Sequence, residues 1–114
     1  MLPKKYRLKK RTAFTATYRT GKTFHKNGIT LFCGKEVKDA CQTKIGFVVS
    51  KKIHKRAVKR NRIKRLMRES VRLLIKSGNF PNKYLSMIFV ASQKILDKDF
   101  NYTDFAIKEM VSKL

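Results

Sequence analysis

The chain has 114 residues, enough to bury a core without help from a metal or disulfide. It carries 29 Lys or Arg against 7 Asp or Glu, a formal charge of +22, and 42% of it is hydrophobic, so a merely disordered basic tail is excluded. A folded core with this charge predicts a nucleic-acid partner before any other.

A membrane is the competing polyanion. The longest apolar run, residues 87–91, is too short to span a bilayer, MLPKKYRLKK has no secretory apolar core, and neither a lipidation motif nor an exposed apolar anchor is visible. The expectation is a cytoplasmic protein with no membrane partner. Cys33 and Cys41 are too far apart for a CxxC pair and too few for a zinc site. They flank a turn-like segment that a disulfide could cross, but without a secretory signal two free thiols are expected.

In chain order, residues 1–11 read as a basic arm around Tyr6 and Leu8. Thr12 then caps a short helix over 13–20 that Gly21 closes. Its threonines make it weak in isolation, so packing must hold it. Phe14 and Tyr18 stand four apart on one face, as core or as a ligand surface. Two strand-like runs follow. In one, Ile29, Leu31 and Cys33 alternate with Thr30 and Phe32; in the other, Ile45, Phe47 and Val49 alternate with Gly46, Val48 and Ser50. Joined through 34–43, they form a hairpin with one buried face. Phe32 lies on the sparer face, either covered by the first helix or offered to a stacking base.

The centre of the chain is SKKIHKRAVKRNRIKRLMRESVR, residues 50–72. Between 51 and 68 stand ten Lys or Arg (51, 52, 55, 56, 59, 60, 62, 64, 65 and 68) and no acid. At 100° per residue Ile63, Leu66, Met67, Val71 and Leu74 share an arc, while Asn61, Lys64, Arg65, Arg68 and Arg72 project from the other side. A solvated helix face usually mixes signs, because like charges four apart repel. This face is single-signed, so an outside polyanion must neutralise it. Arg60, Arg62, Arg65, Arg68 and Arg72 are the leading contacts, since a guanidinium fork holds two phosphate oxygens or a base edge.

The helix ends near Lys76, before Ser77 and Gly78. Residues 84–92 then read as a third strand, apolar on both sides and therefore central. Strand, helix and strand in that order make a crossover with parallel strands if they are adjacent. A last helix carries Ile107, Met110, Val111 and Leu114 at helical spacing, with Thr103 as its cap. No repeat or linker appears, so 1–114 reads as a single nucleic-acid-binding domain.

The seven acids are scattered apart from Asp97 and Asp99, which sit beside a helix start where acids are favoured anyway. Metal-assisted nuclease chemistry needs several converging carboxylates. His25 and His54 are the only imidazoles, and His54 among lysines suits phosphate better than acid–base work. No phosphate loop or nucleophile motif is present. The expectation is a binder with no catalytic residue and no metal site of its own.

Residues 48–70, VVSKKIHKRAVKRNRIKRLMRES, closely resemble the signature of the protein component of bacterial ribonuclease P, whose hallmark is the run seen here as Arg60, Asn61 and Arg62. Upstream, RLKKRTAFTATYRTGK resembles that family's opening arm and first helix. The resemblance implies an α+β fold, a small two-layer α/β sandwich, ferredoxin-like or ribosomal-S5-domain-2-like, with a left-handed βαβ crossover against the usual rule. It implies as partners the catalytic RNA of ribonuclease P and precursor tRNA, with no obligate protein partner. The particle removes the 5′ leader, with chemistry done by the RNA and Mg²⁺ bound mainly by the RNA. By position, RNA contact falls on Lys51, Lys52, Arg60, Asn61, Arg62, Lys64, Arg65 and Arg68. Leader binding falls on Phe14, Tyr18, Phe32, Val48 and Ser50. After the third strand, where the family pattern is basic, this chain has Ser92 and Gln93 before Lys94. The runner-up is a basic ribosomal or architectural RNA-binding protein that only scaffolds RNA. A helix-turn-helix reading fails because the strands leave no room for a second helix before the basic one.

Overall fold

A computed structural model of the chain describes residues 6–19, 22–36, 43–50, 52, 55–78, 80 and 84–114. The elements are α1 (Arg11–Arg19), β1 (Lys22–Lys26), β2 (Ile29–Cys33), β3 (Lys44–Val48), α2 (Ala57–Lys76), β4 (Ser86–Ala91) and α3 (Phe100–Ser112). The class is α+β, as expected, with four strands in the order β1-β2-β4-β3.

β1 was not anticipated, and it corrects the strand pairing. Asn27 and Gly28 both have positive φ, 51° and 88°. That is what a two-residue hairpin turn of the primed type demands. The turn sets Lys26 opposite Ile29 and Lys22 opposite Cys33, so β2 spends one edge on β1. Its other edge pairs antiparallel with β4, while β3 runs parallel to β4 on the far side. The expected β2–β3 hairpin is therefore wrong: β4 lies between the two strands. The central position of β4 and the parallel β3–α2–β4 crossover are as the sequence predicts.

Alternation along the strands gives the sheet two unlike faces. Ile29, Leu31, Cys33, Ile45, Met87, Phe89 and Ala91 point to the face that packs on helices. α2 supplies Ile63, Met67, Val71 and Leu74, and α3 supplies Ala106, Ile107, Met110 and Val111. Ser70 donates to Asp104 Oδ1 at 2.6 Å and ties α2 to α3. Leu66, placed by periodicity in the same arc, is only half-buried and lines a second cavity with Phe100.

Helix boundaries shift for local reasons. α1 begins at Arg11, so Thr12 is inside the helix and not its cap. Thr15 and Thr17 donate back to the carbonyls of Arg11 and Ala13. Thr17 also meets Ser86 Oγ at 2.5 Å, a buried link that holds this weak helix on the sheet. In α3 the cap is Asp99, which accepts from Tyr102 N–H at 3.0 Å; Thr103 is fully buried within the helix. Capping thus accounts for one member of the Asp97/Asp99 pair. Ser92 also acquires a structural role, because its N–H donates to the Gly28 carbonyl at 2.8 Å beneath the β1–β2 turn.

Candidate nucleic-acid interface

α2 starts with an unusual electrostatic balance. Its N-cap is Arg56, extended and without a side-chain cap bond, and no acid lies in its first turn. Cations at this end oppose the helix dipole, which favours negative charge there. Four residues on, the Arg60 Nε is buried and has no hydrogen-bond partner among the described residues, although the residue as a whole is half-buried.

The basic residues of α2 do not form the single outward face expected from periodicity. Lys64 and Arg68 are half-buried and line a cavity of about 440 Å³ beside β3, and Arg68 also borders the Phe100 cavity with Arg65 and Glu69. Asn61 and Arg65 stay exposed. Arg62 donates from Nη2 to the Lys98 carbonyl at 3.1 Å, which draws it toward α3. Arg72 leaves the group: Glu69, just beyond the acid-free run, accepts from it at 2.5 and 3.1 Å. That contact pulls the Glu69 carboxyl below its ordinary range and raises the Arg72 guanidinium. Lys52 is exposed, while Lys51 and His54 lie outside the described residues.

The sheet face opposite the α2–α3 core holds Thr30, Phe32, Gly46, Val48, Ser86, Ile88 and Val90. α1 crosses part of it. Tyr18 meets Phe32 edge to face, with centroids 4.9 Å apart and planes at 85°. Tyr18 is 39% exposed, and its partial burial pushes the phenol upward. Phe14 seats its ring on bare backbone, since a Cβ at Gly46 would lie 2.7 Å from two ring atoms. Neither ring belongs to the buried core. The row beyond α1 runs His25, Thr30, Val90, Val48 across all four strands. His25 Nδ1 lies 2.9 Å from Thr30 Oγ1, Val48 is half-buried, and Ser50 is exposed past the strand end. Phe14, Tyr18, Phe32 and Val48 are thereby brought to one face.

The arm adds residues that sequence reasoning did not select. Arg7 bridges to Ile45, and Leu8 N–H donates to the Ile45 carbonyl at 2.9 Å, so the arm lies along the free edge of β3. Arg7 and Lys9 thereby join Lys64 and Arg68 around the same cavity. The signal available was the bulky pair Tyr6 and Leu8 in an otherwise basic arm. Among the described residues no group of three or more His, Cys, Asp or Glu could hold a metal ion, and no helix is long and apolar enough to cross a membrane.

The family model for ribonuclease P matches residues 2–114. The chain belongs to the ribonuclease P protein family. Its relatives include the ribonuclease P protein component of Clostridium kluyveri, 35% identical over 108 residues that cover 95% of this chain and 93% of the relative. That of Caldanaerobacter subterraneus is 39% identical over 117 residues, covering 100% and 90%. Among solved structures, a Staphylococcus aureus RNase P protein mutant with defective mRNA degradation activity superposes with a TM-score of 0.79 at 26% identity, over 95% of this chain and 86% of that one. The RNase P protein from Thermotoga maritima matches in fold with a TM-score of 0.78 over 95% and 96% of the two chains, at 23% identity. As a ribonuclease P protein, the chain partners the RNA subunit of that enzyme.

Proposed function

We propose that this protein assists the catalytic RNA of ribonuclease P in removing the 5′ leader from precursor tRNA, binding RNA through α2 and the leader across the α1 face of the sheet. The observation that carries the reading is the pairing, in one ribonuclease P protein, of an acid-free basic stretch with a separate, incompletely buried aromatic face. Lys52, Arg60, Asn61, Arg62, Lys64, Arg65 and Arg68, with Lys51 from outside the described residues, hold the phosphate backbone. Lys and Arg there release counterions on binding, which makes affinity fall steeply with salt. Phe14, Tyr18 and Phe32, with Val48 and Ser50, receive leader nucleotides by stacking, which tolerates any base.

Hydrolysis in this reading belongs to the RNA, with Mg²⁺ bound mainly by the RNA; the protein holds the leader and helps metal-dependent docking. Membership of the ribonuclease P family disfavours the alternative of a purely architectural RNA binder. The test is reconstitution: protein plus the RNA subunit in Mg²⁺ should cut precursor tRNA at the mature 5′ end, and the RNA-free protein should not. Site-specific cleavage by RNA-free protein would refute the proposal.

A further inference from the structure

We infer that Thr17 and Ser86 are positioning residues for the leader: their hydroxyl pair, and not the aromatic contacts, holds α1 where Phe14 and Tyr18 can receive nucleotides. This rests on the leader-binding reading and deepens it, because it names what keeps that face assembled while it is occupied. α1 meets the sheet through Phe14 on Gly46 of β3, Thr17 on Ser86 of β4 and Tyr18 on Phe32 of β2. The rings have competing duties. A nucleotide that stacks on Phe14 or Tyr18 takes up ring surface, so contacts that could hold the helix are disturbed as the leader binds. Nine residues with three threonines make a helix that does not hold itself. A hydroxyl pair takes no part in stacking, and it keeps α1 in place while the rings are engaged.

Thr17 is the one buried residue of α1, 1% exposed, and Ser86 is 8% exposed. At that burial water does not replace either partner, so breaking the pair strands a polar atom. Counting hydrogens assigns the donor. Thr17 Oγ1 gives its single hydrogen to the Ala13 carbonyl at 2.7 Å, so across the 2.5 Å contact Ser86 donates. Ser86 is in turn held by Gly34, just past β2: the Gly34 N–H donates to the Ser86 carbonyl at 2.7 Å, and a Cβ at Gly34 would collide with Ser86 Oγ. Bare backbone there leaves the room in which the hydroxyl stands. A hydrogen bond is directional where a ring contact is not, so it sets the height of α1 over the sheet and its rotation together.

The experiment reconstitutes the particle with Ser86→Ala, Thr17→Val or Thr17→Ser and measures affinity for precursor tRNA with several leader nucleotides and for mature tRNA. Amide hydrogen exchange is followed on each free protein. Ser86→Ala removes the donor and spares the Thr17–Ala13 bond, so it isolates the link between helix and sheet. Thr17→Val keeps the shape without the hydroxyl; Thr17→Ser keeps the hydroxyl and should behave as wild type. Ser86→Ala and Thr17→Val should each weaken precursor tRNA about two- to tenfold, the factor that one hydrogen bond of ordinary net strength gives. Mature tRNA should bind as before. Exchange should quicken at α1 amides and stay unchanged in α2 and α3. The double variant should lose about as much as either single one, since both break the same bond. Thermal melts establish that each variant is folded at the assay temperature. An equal loss for both tRNAs, or unchanged precursor affinity in folded variants, would overturn the inference. So would Phe14→Ala quickening α1 exchange as much as Ser86→Ala, because the ring would then hold the helix. Suppose Phe14→Ala and Phe32→Ala weaken precursor tRNA selectively while Ser86→Ala and Thr17→Val do not: then the positioning role falls and the leader-binding reading stands. If none of the four variants separates precursor from mature tRNA, both fall.

Discussion

Met67→Ala separates the two duties of α2. Met67 is fully buried between the sheet and the helix pair, whereas Leu66, one residue earlier, is half-buried on the α3 side beside the Phe100 cavity. Truncating a buried Met loses transfer free energy and leaves a cavity, about 2–5 kcal/mol. A domain of this length has a total stability of roughly 6–17 kcal/mol, so the variant should stay folded at 25 °C. At roughly 3–6 °C per kcal/mol for this size, its Tm should fall by about 6–30 °C. Leu66→Ala gives up only part of a buried side chain and should cost about 1 kcal/mol. Urea unfolding followed by far-UV circular dichroism gives both values. RNA affinity, read well below each midpoint, should be unchanged in both. A Leu66→Ala loss equal to or greater than that of Met67→Ala would refute the assignment of faces.

Phe14→Ala and Phe32→Ala in the reconstituted particle should weaken precursor tRNA with several leader nucleotides by about 1–3 kcal/mol each, yet barely change mature tRNA. Equal loss for both RNAs, or a collapsed melting temperature, would return the rings to a packing role. Cys33 is buried, with its thiol pushed up to about 11 chiefly by desolvation, so it should resist iodoacetamide at neutral pH until the chain unfolds, as read by mass spectrometry. Glu69 has its carboxyl lowered chiefly by the hydrogen bond from Arg72, so the pair stabilises the fold above the ordinary glutamate range and loses that contribution as pH falls through the lowered value. Glu69→Gln should therefore differ from wild type at pH 7 and converge with it in acid, in urea midpoints measured across pH; a gap that widens in acid would contradict this.

Much of the fold was legible because periodicity reports burial directly. Ile63, Met67, Val71 and Leu74 at helical spacing mark the inner face of α2, and the unbroken apolar run of β4 marks a strand covered on both sides. Pairing was less legible. The alternations of β2 and β3 say which residues are buried, not which strand lies alongside. The decisive signal was local: Asn27-Gly28 closes a hairpin backward onto β1, whose own residues Lys22, His25 and Lys26 carry no strand-like pattern. Cys41 lies outside the described residues, so only the free thiol of Cys33 is seen.

The candidate site was legible in kind but not in arrangement. A charge count finds the basic helix. It does not find that Glu69 removes Arg72 from it, that Arg62 reaches the Lys98 carbonyl, or that Lys64 and Arg68 line a cavity completed by the arm. Those facts depend on which neighbours α2 packs between, and helical spacing holds no record of them. Phe14, Tyr18 and Phe32 were recoverable as one surface only through the family resemblance, since their spacing served a core equally well.

The central claim is that charge on α2 holds the RNA of ribonuclease P. The most direct measurement is the affinity of the protein for that RNA as a function of salt, for wild type and for Lys64→Gln, Arg65→Gln and Arg68→Gln singly and combined. Log affinity should fall linearly with log salt, and each substitution should lower the magnitude of the slope by about 0.7–0.9. A triple variant that keeps both the wild-type slope and the wild-type affinity would contradict the account.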